Sequence, residues 1–218
     1  MGAFDGKTYS NSLMLECVLN SKPAFLIEPS PPSVFRIRAN RPKSQVLQLA
    51  VGIDFSIAEF YGDKAVSGLA ENLTDLYIKR WGVDKFQKFK VITAPFKSIQ
   101  EVMGFNFIDF LSIDIQGGEL DLFLTMDWSI PIGVICVELE GHHPAKDEMC
   151  RQLMRNNGFI FSGKLLISEI WFNPLSERRK LIYDPDRRLN LDMYEFSEYS
   201  LKHLNIILPA LSEAAPQI

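Results

Sequence analysis

Apolar runs broken by polar, Gly- or Pro-bearing turns divide the chain into alternating strands and helices. Phe107 to Ile113 is an almost unbroken apolar run with β-branched and aromatic residues, which predicts a strand buried on both faces. A polar turn follows with Asp114, Gln116, Gly117, Gly118 and Glu119, and then Leu120, Phe123, Leu124 and Met126 at helical spacing. The stretch therefore predicts strand, Gly-rich turn, helix, with Asp114 at the carboxyl end of the strand, where parallel α/β sheets bind ligands.

The same reading applied in chain order gives the other elements. Gly2 to Gly6 is a turn. Ser10 or Asn11 caps a helix that carries Leu13, Met14, Leu15, Cys17, Val18 and Leu19. Ala24 to Ile27 is a short buried strand ended by Glu28 and stopped by Pro29, Pro31 and Pro32, and Ser33 caps a helix to Asn40. Val46 to Ile53 predicts a third strand, Ala58 to Tyr61 a small extra one, and Ser67 to Leu69 a bend. Tyr77 to Phe89 predicts a solvated helix or lid, Val91-Ile92 the start of a strand, and Ser98 to Met103 a short helix. Ile132 to Leu139 is a second fully apolar strand with Glu138 near its end, followed by Glu140, Gly141, His142, His143 and Pro144. Asp147 to Asn156 is a helix stopped by Asn157-Gly158. Phe159 to Gly163 and Ile167 to Phe172 form a final strand pair. The charged remainder closes with a helix over 197–208. This alternation predicts an α/β three-layer sandwich. The domain spans 1–174, and 175–218 is a C-terminal extension.

Composition narrows the function classes. The chain has 218 residues, 47% hydrophobic and 23% charged, which suits one domain with a sizeable core. A net charge of -4 argues against a nucleic-acid binder. No apolar run reaches about 18 residues, so no membrane span is expected. Three scattered cysteines, Cys17, Cys136 and Cys150, suit a reducing cytoplasm.

Four predicted strand ends carry polar groups: Asp5 with Gly6, Glu28, Asp114 to Glu119, and Glu138 to His143. Together they describe one rim of a sheet. Gly2 to Gly6 feeds a helix N-terminus, a setting for polar or anionic ligand groups. Glu28 follows Gly6 by about 22 residues, near the roughly 20 expected of an acid that binds ribose hydroxyls. No Walker lysine pattern and no Gly-x-Ser-x-Gly elbow occurs. The adjacent His142 and His143 with scattered acids do not form a metal motif, so no metal is expected.

Gly2 to Glu16, Leu26 to Pro31, Asn40 to Pro42, Ala50-Val51, Ser67 to Leu69 and Asp109 to Leu120 together resemble the FkbM-type S-adenosylmethionine-dependent methyltransferases. The order and spacing match from residue 2 to about Pro174. The resemblance implies a class I methyltransferase (Rossmann-like) fold, with a mostly parallel sheet and an antiparallel last strand. It implies S-adenosylmethionine as cofactor, with Gly2, Ala3, Asp5 and Gly6 around its methionine part, Glu28 on the ribose hydroxyls, and Ala50 and Val51 beside the adenine. Asp114 falls next to the transferred methyl group and the acceptor. The implied partner is a small-molecule or carbohydrate acceptor methylated on a hydroxyl oxygen. Such chemistry requires in-line alignment of the hydroxyl and removal of its proton. Asp114, Glu138, His142 and His143 are the candidate bases; histidine has the better resting pKa and Asp114 the better expected position.

Two departures from the family pattern stand out. Gln116 occupies a position where the family usually has glutamate. Only Met1 precedes Gly2, where members carry several apolar residues, so the first strand is expected to be missing, with open pairing edges on its neighbours. These motivate a second reading, a non-catalytic methyltransferase-like binding or scaffold domain.

Overall fold

The computed structural model describes residues 1–19, 22–165 and 167–176. In chain order it contains α1 (Asn11–Leu19), β1 (Phe25–Ile27), α2 (Pro31–Asn40), β2 (Gln45–Leu47), β3 (Ala50–Val51), β4 (Ser56–Tyr61), β5 (Gly68–Leu69), α3 (Asp75–Trp81), β6 (Lys88–Ala94), α4 (Phe96–Val102), β7 (Ile108–Ile113), α5 (Glu119–Thr125), β8 (Ile132–Glu138), α6 (Pro144–Asn156), β9 (Ile160–Leu165) and β10 (Ser168–Phe172). Short 3-10 turns occupy Ala70–Asn72 and Val83–Lys85. Nearly all of the expected C-terminal extension, including the helix over 197–208, lies outside the described residues. Among the described residues no helix is long and apolar enough to cross a membrane.

Local chemistry sets the helix starts. Ser10 Oγ accepts a hydrogen bond from Leu13 N at 3.2 Å, so Ser10 caps α1. The structure moves two other starts. α2 begins at Pro31 after Ser30, and α6 begins at Pro144 after His143, instead of at Ser33 and Asp147. A proline in the first turn lacks an N–H that would have no helical partner there, and its fixed φ suits the helix. α3 ends at Gly82, which adopts a left-handed conformation, so Tyr77 to Phe89 is a short helix and a 3-10 turn leading into β6.

The chain is a mixed α/β structure with several sheets. β7, β8, β10 and β9 form one sheet in that spatial order, with β7 parallel to β8 and β10 antiparallel to both its neighbours. β1 and β2 pair in parallel as a separate ribbon. β3, β6, β4 and β5 form a third, mixed sheet. The single mostly parallel sheet of the sequence reading is therefore divided. The expected third strand is the dividing point: Gln45–Leu47 pairs with β1, whereas Ala50 and Val51 pair with Thr93 and Ala94 of β6. Among the described residues β1 and β7 each have one strand neighbour, and on β7 the Met1 nitrogen donates to the Ser112 carbonyl at 2.5 Å.

The main core lies against β8. Ile132, Val134, Ile135, Cys136 and Val137 are all buried, joined by Leu122 and Phe123 of α5, Met154 of α6 and Trp171 of β10. Each such side chain contributes about 1.5–3 kcal/mol of burial free energy. β7 departs from expectation, because only Leu111 and Ile113 of it are buried. It is an edge strand, so β8, flanked on both sides, is the one buried on both faces. α5 likewise turns Leu122 inward and leaves Leu124 exposed.

Candidate functional site

The first turn folds back onto two strand ends. Phe4 N donates to Glu28 Oε2 at 2.9 Å, and Ser30 N donates to Glu28 Oε1 at 3.0 Å. Gly2, at φ 69°, lies so close to β7 that a Cβ there would stand 1.7 Å from the Asp114 carbonyl oxygen. Residues far apart in sequence are thus held together: Gly2 and Phe4 from the turn, Glu28 after β1 and Asp114 after β7. Asp5 turns to its own loop, accepting from Lys7 N, Thr8 N and Thr8 Oγ1 at 2.7–2.8 Å. Partial burial opposes its ionisation, yet the bonds from Thr8 and Lys7 hold its carboxyl below the usual range. Asn40 Nδ2 donates to the Asp5 carbonyl at 2.8 Å, and Gly6 packs on Arg41 and Ile37.

Two pockets open to solvent adjoin this point, spanning about 390 Å³ and about 550 Å³ with their open mouths included. The larger is lined by Gly2, Phe4, Glu28, Ala50, Val51 and Asp114, with apolar walls from Ile27, Leu49, Phe60, Leu69 and Ile115. Of the residues singled out in the sequence for a cofactor, Gly2, Glu28, Ala50, Val51 and Asp114 meet here, whereas Ala3, Asp5 and Gly6 do not line it. Phe4, Phe60, Lys64 and Asn72 line it without having been singled out. Phe60 had a legible signal, since it lies within the predicted extra strand; a role for Phe4 had none.

The smaller cavity is lined mainly by ionisable and polar residues. Asp114 borders it too, together with Gln116, Glu119, Glu138, Glu140, His142 and His143. The β7–β8 register pairs Ile113 with Val137, which brings Asp114 and Glu138 side by side at the two strand ends. Gln116 Nε2 donates to Asp114 Oδ1 at 2.7 Å, and the Tyr77 hydroxyl contacts Gln116 Oε1. His142 Nε2 lies 2.5 Å from Glu140 Oε2, and the Tyr77 ring meets the His142 ring edge-on, with centroids 5.3 Å apart. His143 precedes α6, and its carbonyl accepts from Asp147 N at 3.0 Å. Glu140 was read from sequence only as a member of the Glu138 to His143 cluster and Tyr77 only as part of the segment to Phe89, without a role for either side chain.

Burial sets the electrostatics. It raises Glu28 to about 7, against the hydrogen bonds from Ser30 and Phe4. It raises Glu119 to about 7, although Glu119 Oε1 accepts from Ile115 N at 3.0 Å. Asp114 and Glu138 are both raised, by burial first. Glu138 is raised further because Asp114 and Glu140 crowd it with negative charge, so Glu138 holds the proton the pair shares. Tyr77 is also pushed upward by burial and the nearby carboxylates, and stays a neutral phenol.

Gly117, at φ 92°, sits where another stretch of backbone comes close. A Cβ there would meet the Asn72 carbonyl oxygen at 2.5 Å, so the close approach is made by the chain itself. Among the described residues no group of three or more His, Cys, Asp or Glu side chains is arranged to hold a metal ion.

The Methyltransferase FkbM domain family matches residues 1–161, most of the chain and all of the segments that build both cavities. The chain belongs to this family. Comparison with curated proteins and with solved structures gave no significant match. In this FkbM domain the turn from Gly2 to Gly6, Glu28 and the segment from Asp114 to Glu119 all fall inside the matched region. Gln116 bridges Tyr77 and Asp114 by accepting on one atom and donating from the other. A carboxylate has no donor for the second contact.

Proposed function

We propose that this FkbM domain is an S-adenosylmethionine-dependent methyltransferase acting on a hydroxyl oxygen of a small molecule or sugar. The observation that carries the reading is that Asp114 borders both cavities, an apolar-walled one and a polar one. The larger suits the cofactor by the chemistry of its lining. Ile27, Val51, Phe60 and Leu69 offer an apolar slot for a flat base, and the Glu28 carboxylate suits ribose hydroxyls. Gly2 and Asp114 would face the methionine part. The strand order supports a class I methyltransferase sheet in two parts, β2-β1 and β7-β8-β10-β9, with the antiparallel β10 inserted near the end.

S-adenosylmethionine supplies an activated methyl group when bound. The chain's own task is to orient the acceptor and handle a proton. Asp114, sharing its environment with Glu138, places negative charge where a sulfonium is stabilised. The polar cavity holds the acceptor hydroxyl beside Asp114. A net charge of -4 favours a small-molecule acceptor over nucleic acid or a membrane surface, and the scattered spacing of Cys17, Cys136 and Cys150 suits a reducing compartment.

The test is release of S-adenosylhomocysteine from purified protein offered a panel of methyl hexosides and simple polyols. Release dependent on a hydroxyl acceptor is expected. The scaffold reading draws on Gln116, whose amide ties up Asp114. It is overturned by that turnover and favoured by its complete absence.

A further inference from the structure

We propose that His142 is the general base of the transfer and that Glu140 and Tyr77 are the positioning residues that aim it. The assignment rests on the methyltransferase reading above and chooses among bases that the sequence left open.

The geometry separates the candidates. Asp114 is bound on Oδ1 by Gln116 Nε2 and lies beside Glu138 at the paired strand ends. A carboxylate tied to a donor and sharing a proton with a neighbour is poorly placed to accept another. His143 has its backbone carbonyl in the first turn of α6 and meets no carboxylate among the described residues. His142 differs on both counts. Its Nε2 lies 2.5 Å from Glu140 Oε2, close enough for the carboxylate to favour the hydrogen on that nitrogen in the neutral ring, though without an aligned N–H···O bond. Nδ1 then holds the lone pair and has no protein partner among the described residues. The edge of Tyr77 at 5.3 Å, nearly perpendicular at 86°, restricts ring rotation. The Tyr77 hydroxyl is itself anchored on Gln116 and, at 3.2 Å, on the Val66 carbonyl. His142 borders the polar cavity together with Asp114, which also borders the cofactor cavity. A base oriented by a carboxylate on its far nitrogen is the arrangement that general-base histidines require.

The acceptor O–H proton passes to Nδ1 of His142. The oxygen forms its bond to the methyl carbon, and the electron pair of the breaking carbon–sulfur bond returns to sulfur, leaving a neutral thioether. The imidazolium is stabilised by Glu140 and later yields its proton to solvent.

Two readouts test this on the full chain. The first is the tautomer, read by long-range ¹H–¹⁵N correlation on protein labelled at its three histidines, with His142→Gln providing the assignment. His142 is expected as the Nε2–H form, moving toward a mixture in Glu140→Gln. An Nδ1–H form overturns the proposal without touching the methyltransferase reading. The second is turnover with methyl hexosides. His142→Ala is expected to lower kcat by about 10²–10⁴-fold, with KM for the glycoside within about threefold and partial rescue by free imidazole. Lys97→Ala, exposed on α4 and outside the lining of both cavities, is expected to stay within about threefold of the parent. Wild-type kcat in His142→Ala overturns the base. S-adenosylhomocysteine binding without turnover on any hydroxyl acceptor overturns the hydroxyl reading on which the base depends. Loss of binding in the parent overturns the methyltransferase reading itself.

Discussion

Gly2 and Asp114 meet backbone to backbone. No Cβ fits on Gly2, since it would stand 1.7 Å from the Asp114 carbonyl oxygen, and the φ of 69° is one that L side chains rarely adopt. This contact joins the turn before α1 to the carboxyl end of β7, and both residues line the larger cavity.

Gly2→Ala is therefore expected to push the turn away from β7. Affinity for S-adenosylhomocysteine should fall by about tenfold or more, while the melting temperature shifts by only a few degrees, because the core around β8 is untouched. Titration calorimetry beside a thermal melt checks this. Unchanged affinity would show that the contact does not shape the cavity.

Glu28 predicts a pH dependence of stability. Burial raises its carboxyl to about 7 in the folded chain, above the ordinary value of 4.5. Between those values the folded chain holds more protons than the unfolded chain, so stability falls as pH rises through the window and the loss is complete above the folded value. The contribution is about 3 kcal/mol. Urea denaturation from pH 5 to pH 8 should give a declining stability, with a clearly shallower decline in Glu28→Gln. Glu119, raised to about 7 by its own burial, sustains part of the slope in that variant.

Gln116→Glu replaces the bridging amide with a carboxylate. It removes the donor to Asp114 Oδ1 and adds a carboxylate next to Asp114 and Glu138. The variant should be destabilised by about 1–3 kcal/mol near pH 8 and recover toward pH 5, where the added acid is protonated. Melting temperature against pH for both proteins measures it.

The contrast between β7 and β8 is tested in the core. Ile135, fully buried on β8, should cost about 2–5 kcal/mol when truncated to alanine. Phe107, just before β7 and 38% exposed, should cost less than half as much despite being the larger side chain. Chemical denaturation of the two variants decides.

The apolar runs placed nearly every strand and helix, because burial leaves its period in sequence. The runs did not reveal that Val46 to Ile53 would serve two sheets, since two pairing partners with one apolar pattern look alike along the chain. Nor did they show that Phe107 to Ile113 borders its sheet, a property of the neighbours and not of the strand. At the site, Glu28 and Asp114 were legible from spacing and from strand ends. Phe4, Tyr77 and Glu140 were not, because each acts through a contact with a residue distant in sequence or through a side-chain geometry that spacing does not encode. His142 and His143 are indistinguishable as adjacent letters. Only the placement of the Glu140 carboxylate separates them.

The central claim is that the cavity joining Gly2, Glu28 and Asp114 binds the cofactor. Calorimetric titration of the parent protein and Glu28→Ala with S-adenosylhomocysteine tests it most directly. Saturable one-to-one binding at micromolar ligand, weakened by about tenfold or more in Glu28→Ala, is the result expected. No detectable heat at millimolar ligand, or equal affinity in the two proteins, would contradict it.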